Sequence, residues 1–197
     1  PYSVGIFDLT SPLTITKPDT GERFQSMQII NQDHYIPLVA YDAGTYVLTE
    51  EQVGTRYAAV VFRTFMDPSD AADVKAAHAA QDAIRVTQEH AGEFEVPDFD
   101  QDQRANLSAA LGGLMAYVPD SRRMFGKIDT VDPIRHLIGT AAGWGGNPVE
   151  DAMYIPGVVK LNDGNASHAL TVGDVPVDGF WSVTVYNAKG FYEAPEN

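Results

Sequence analysis

Apolar and polar residues alternate over residues 4–9, 13–16, 24–31, 35–41 and 45–49, and Pro, Asn, Asp and Gly punctuate the gaps. A period of two with that punctuation predicts antiparallel strands and their turns. Residues 56–65, RYAAVVFRTF, are apolar on both faces over 58–62, which predicts a central strand covered on two sides. The stretch 24–49 places a carboxylate, an imidazole and a phenol (Asp33, His34, Tyr35) where one predicted strand gives way to the next.

The period changes after Asp67-Pro68. Ser69 caps a predicted alanine-rich helix that runs to Gly92. A second helix opens at Asp100, carries Leu107, Ala110, Leu111, Leu114 and Val118 on one face, and ends at Pro119. A third opens on Asp132-Pro133 with Ile134, Leu137 and Ile138 facing one way, and runs out at Gly143. Asn147, Pro148 and Glu150 predict a short helical turn through Met153. Alternation returns in 167–173 and 181–186. The order β-rich, helical, β-rich predicts a mainly β (α+β) chain: antiparallel β-sandwich or jelly-roll-like modules with a helical segment inserted between them.

Composition narrows the function. The 197 residues carry 27 acidic and 13 basic side chains, a net charge of −14, which repels phosphate backbones and predicts no nucleic-acid partner. There is no cysteine, so thiolate catalysis and Cys-ligated metals are excluded. No apolar run reaches the ~20 residues of a membrane span. The five histidines, at 34, 78, 90, 136 and 168, never fall at H-x-H or H-x-x-x-H spacing, so metal ligation has no local signature. Asp98, Asp100 and Asp102 imitate half a calcium loop, but Gln103 stands where its glycine belongs and Ala109 where its glutamate belongs. No G-x-S-x-G elbow occurs.

Candidate chemistry rests on seven residues: Asp33, His34, Tyr35, Arg63, His136, Trp144 and Tyr154. Asp33-His34-Tyr35 either positions a proton-transfer group or is a polar strand end, since neighbours on a strand point to opposite faces unless the chain turns. The glycines around Trp144 either free backbone amides for an anion or let the indole pack tightly. Arg63, late in an apolar strand, calls for a carboxylate partner such as Asp8 or Asp33, or recognises a carboxylate ligand.

The segments PYSVGIFDL, RFQSMQIINQDHY, GTRYAAVVFRTF, RHLIGTAAGWGGNP, DAMY and VDGFWSVTVYNAKGFY, in this order, resemble a bacterial two-module family whose halves are domains of unknown function 1254 and 1214. The resemblance implies a first module over 1–95 and the opening of a second over 96–197, so that the chain is an interior slice of a longer polypeptide. It implies β-sandwich modules and export to the periplasm or beyond, and it brings no reaction, cofactor or catalytic residue. Two functions stay open. One is a binding or structural scaffold for a small ligand, a protein partner or a second copy of the chain. The other is an enzyme acting on a small organic molecule in a cleft between the modules.

Overall fold

The computed structural model describes residues 1–155, 157 and 159–185. In chain order the elements are β1 (Tyr2–Asp8), β2 (Leu13–Lys17), β3 (Gln25–Asn31), β4 (Leu38–Ala40), β5 (Gly44–Leu48), α1 (Glu50–Val53), β6 (Tyr57–Thr64), α2 (Ala71–Asp82), β7 (Arg85–Gln88), α3 (Gln101–Gly113) and α4 (Pro133–Ala142). The strands form two antiparallel sheets, ordered β1-β6-β3-β4 and β5-β2-β7. The fold is mainly β, of the α+β class. Contacts divide the chain into two compact units, 1–156 and 157–197.

The inner faces of the two sheets share one core. Leu13 and Ile15 of β2 and Leu48 of β5 pack with Met27 and Ile29 of β3 and with Ala58, Val60 and Phe62 of β6. The intervening residue of β6, Ala59, points the other way and joins Ile30 and Ile36 in a second, smaller cluster beneath Val61 and Phe125. A strand flanked on both faces needs apolar residues at every position, which is the reading that 58–62 gives. Between β5 and β6 runs α1, which the alternation does not predict. Thr49 accepts from the Gln52 N–H and the Gln52 side chain accepts from the Thr49 N–H, a capping box that fixes one turn. Gly54 then ends it in the left-handed region, at φ 88°.

Several predicted elements differ from those observed. Asp70, not Ser69, caps α2, because Ser69 is spent on the Asp67 carboxylate. The helix stops at Asp82, and Arg85–Gln88 becomes β7 on the free edge of β2. Alanine-rich periodicity carries the prediction too far, while β-branched Val86 and Thr87 suit the ladder that β2 offers. The predicted apolar stripe of α3 buries nothing, and Leu107 is exposed. In α4, Ile134 and Leu137 face outward, whereas His136, Ile138 and Gly139 are buried. A Cβ on Gly139 would come within 3.0 Å of Met124 and 3.2 Å of Phe125, so close approach to the 121–126 loop, rather than the apolar stripe, sets the buried face.

The turn after Asn147 is a single helical turn that closes at Ala152, with a different cap from the one predicted. Asp151 and Ala152 N–H groups both reach the Pro148 carbonyl at 3.0 Å, while Asn147 donates its side chain to the Tyr154 hydroxyl instead of capping. In the second unit, 167–173 and 181–185 are not strands, and Tyr186 lies outside the described residues. Their alternating apolar positions, Leu170, Val172, Trp181, Val183 and Val185, are exposed. Alternation makes a strand only where a neighbour completes the ladder, and among the described residues none does.

Candidate functional site

The site is built where β3 ends. Asn31 ties the step down with both ends of its amide: its oxygen accepts from the Tyr35 N–H at 2.9 Å, and its nitrogen donates to the Val53 carbonyl at 3.0 Å. The backbone closes on itself through His34 N–H to Asn31 O. His34 sits at φ 65°, the left-handed region that costs a side-chain-bearing residue roughly 1–2 kcal/mol. The chain therefore turns at His34, and this sends the imidazole inward while Asp33 stays exposed.

His34 lies over the outer face of the four-stranded sheet. Its Nε2 accepts from the Gly145 N–H at 2.8 Å, so the neutral ring carries its proton on Nδ1. Trp144 stacks on it with centroids 6.2 Å apart and planes 13° apart, and Phe125 meets it edge-on at 5.6 Å. Burial pushes its pKa down to about 4, and the charge of nearby His136 adds to that.

His136, capped into place on α4 by Asp132 and Pro133, is 6.3 Å from His34 by ring centroid. Its Nδ1 lies 2.8 Å from the Met124 carbonyl and its Nε2 3.0 Å from the Asp33 carbonyl. Both ring nitrogens therefore face main-chain carbonyls. Tyr35 stacks on the other side of this imidazole, 4.4 Å away and 9° from parallel.

The glycine-rich turn that carries Trp144 is fitted to the sheet. A Cβ on Gly146 would clash with the edge of the Phe125 ring, and the Gln28 side chain reaches up from β3 to the Gly146 carbonyl at 3.1 Å. Gly145 takes φ 77°, presenting its N–H to His34. These glycines therefore serve close packing, and the amide of Gly145 is directed at an imidazole.

The structure thus brings together His34, Tyr35, His136 and Trp144, with Asp33 contributing its carbonyl. It does not bring Arg63 or Tyr154 into contact with the ring cluster. Arg63 lies on β6 opposite Tyr2, its guanidinium 5.9 Å from that ring centroid. Asp8, named above as a partner for Arg63, instead takes a two-pronged hydrogen bond from Arg56, at 3.1 and 2.8 Å. Opposed strands place Arg56 just beyond the Asp8–Tyr57 pair, whereas Arg63 is at the far end of the ladder. Tyr154 bonds Asn147 at 3.2 Å.

Two polar clusters escape the sequence reading. Buried Asp8 accepts from Arg56 and from the N–H groups of Thr10 and Glu93, and Arg56 holds its carboxyl well below the usual range. The Glu93 carbonyl and Glu95 N–H close on the Tyr57 hydroxyl at 2.7 and 2.9 Å. Elsewhere the Tyr41 hydroxyl donates to Asp151, and burial together with that carboxylate pushes its pKa up. The one local signal for the first cluster is Gly92, at φ 70°, where a Cβ would strike the Asp8 side chain.

A crevice of about 190 Å³ opens between Ile29, Leu38, Leu48 and Val53, on the inter-sheet side of β3 and away from the histidines. Among the described residues no group of three or more His, Asp or Glu side chains could hold a metal ion. None of the described helices is long and apolar enough to cross a membrane.

No family model matches this chain, and no curated protein does. In fold it is similar to the crystal structure of the VPA0106 protein from Vibrio parahaemolyticus, with a TM-score of 0.61, 14% identity and 76% of this chain covered. The match spans 57% of that protein's chain, and at this identity the likeness is one of fold alone.

Proposed function

We propose that this chain is a binding or structural scaffold: a rigid β framework for a small ligand or a protein partner, within an exported protein of the bacterial two-module family that its motifs resemble. The observation that carries this reading is the state of the two buried imidazoles. His34 spends its acceptor nitrogen on Gly145 and His136 spends both nitrogens on carbonyls of Met124 and Asp33. Groups so occupied brace one loop against another. A general base needs a lone pair aimed at a substrate proton, and here the His34 lone pair is aimed at the main chain.

The alternative is an enzyme acting on a small organic molecule. One feature favours it: a histidine with a displaced pKa beside a second histidine and an exposed indole. A thermal-shift screen of small organic molecules, with and without zinc chloride, separates the two. A scaffold yields compounds that raise Tm by mass action without a metal and that stay unchanged when followed by NMR. Conversion of such a compound to a new species, abolished by His34→Asn, would establish the enzyme instead.

A further inference from the structure

Strand β1 ends the four-stranded sheet; among the described residues it pairs with β6 alone. The ladder fixes which of its peptide groups are used. Thr64 N–H reaches the Pro1 carbonyl and Leu9 N–H reaches the Arg56 carbonyl, so the odd-numbered residues bond to β6. Tyr2, Val4 and Ile6 turn their N–H and C=O groups to the open edge. The same three residues carry the outward side chains, 63%, 59% and 56% exposed.

Natural edges of this length are blunted by lysine, proline or a bulge. β1 has no charged residue between Tyr2 and Phe7, its register against β6 is unbroken, and Pro1 stands before it. The opposite edge, β4, is only three residues long. The ionisable side chain that closes β1, Asp8, is buried against Arg56.

We propose that β1 pairs with β1 of a second copy of this chain, antiparallel about a two-fold axis through Val4, to give a continuous eight-stranded sheet. The strand is self-complementary in that register and in no neighbouring one. With Val4 facing Val4, Tyr2 faces Ile6 of the other copy, and the edge-facing groups of all three residues close hydrogen bonds. Sliding by two residues either strands Ile6 or sets Tyr2 against Asp8, whose carbonyl already accepts from Gln88. The outward faces merge into a row of Val61, Val4, Val4 and Val61, flanked by rows of Arg63, Tyr2, Ile6 and Ala59. Although the chain carries −14 overall, the only charged side chain in this seam is Arg63. The two copies of Arg63 sit in different rows, so the seam avoids like-charge contact.

The area sets the strength. The three exposed side chains amount to roughly 350 Å² per copy, against ~800 Å² per partner in a standard interface. The dimer is therefore concentration-dependent, with dissociation in the micromolar to millimolar range. It names a partner independently of the role proposed above, since it uses none of the residues around His34.

Sedimentation velocity across that concentration range, with Val4→Lys and Val4→Cys variants, is the test. Wild type is expected to shift from monomer to dimer, and Val4→Lys to weaken that shift at least about tenfold. Because the chain has no cysteine, Val4→Cys should link two copies on mild oxidation, whereas Val47→Cys, exposed on β5, should not. Wild type that stays monomeric at every concentration, a Val4→Lys dimer as strong as wild type, or a Val4→Cys chain that does not link would each overturn the proposal. Should Val4→Lys fail to fold by circular dichroism, the cysteine variant decides alone. Occupation of the edge by another segment or another protein would appear as an unlinked Val4→Cys monomer.

Discussion

At the scale of single residues, His34 concentrates three unfavourable choices: a left-handed backbone, a buried imidazole and a neighbouring charge. They are held by the Gly145 N–H and by packing between Trp144 and Phe125. The folded ring titrates at about 4 where a free histidine titrates near 6.5. Above that ordinary value both folded and unfolded chains are neutral here, and the group adds no pH dependence. Below it the unfolded chain binds a proton that the folded chain refuses until about pH 4, so stability falls as pH drops across this window. His34→Asn, which tolerates the left-handed backbone, is expected to lower the midpoint of urea unfolding at pH 7 while flattening its decline between pH 6.5 and 4. An equally steep decline in the variant would show that another group is responsible. The weakening of Asp8 belongs to a separate, more acid window, because its carboxyl is held below the usual range.

Among elements, the smallest and the most buried make a useful contrast. Thr49→Ala removes one half of the α1 capping box and is expected to cost about 1 kcal/mol. Ile29→Ala opens the shared core of the two sheets, where Ile29 is wholly buried, and is expected to cost about 2–5 kcal/mol. Equilibrium urea unfolding of the two variants measures both, and a smaller loss for Ile29 than for Thr49 would mean that the sheets do not share a core. The six strands up to residue 64 were legible because period-two runs stop at turn residues, and the two-sided apolar pattern of 58–62 marked the central one. β7 was not, because its four residues follow directly on an alanine-rich helical run and are recruited by an edge that only the assembled sheet presents. The site was half legible. Asp33-His34-Tyr35 announces itself, but the Gly145–His34 bond joins residues 111 positions apart, and no local pattern encodes which distant glycine arrives there. The same holds for Arg56 and Asp8, whose pairing follows from strand register rather than from either residue's neighbours.

For the molecule as a whole, every strand among the described residues lies before residue 89, yet Phe125 comes from later in the chain to cover the outer face of the four-stranded sheet, and His136 to meet the loop that follows β3. Between the two lies 96–99, whose Val96 and Phe99 are exposed. Limited digestion with chymotrypsin is therefore expected to cut first near Phe99, read by intact-mass spectrometry; initial cleavage inside 57–64 would contradict the sheet order. The Asp8–Arg56–Tyr57 clamp gives that cut a particular outcome. Glu93 and Glu95 are fastened to the sheet a few residues upstream of the scission point, so the new carboxyl terminus is leashed and cannot fray back into β7. A nicked molecule should keep its far-ultraviolet spectrum, and unravelling from the cleaved end should begin only once Arg56 and the Tyr57 hydroxyl are both removed.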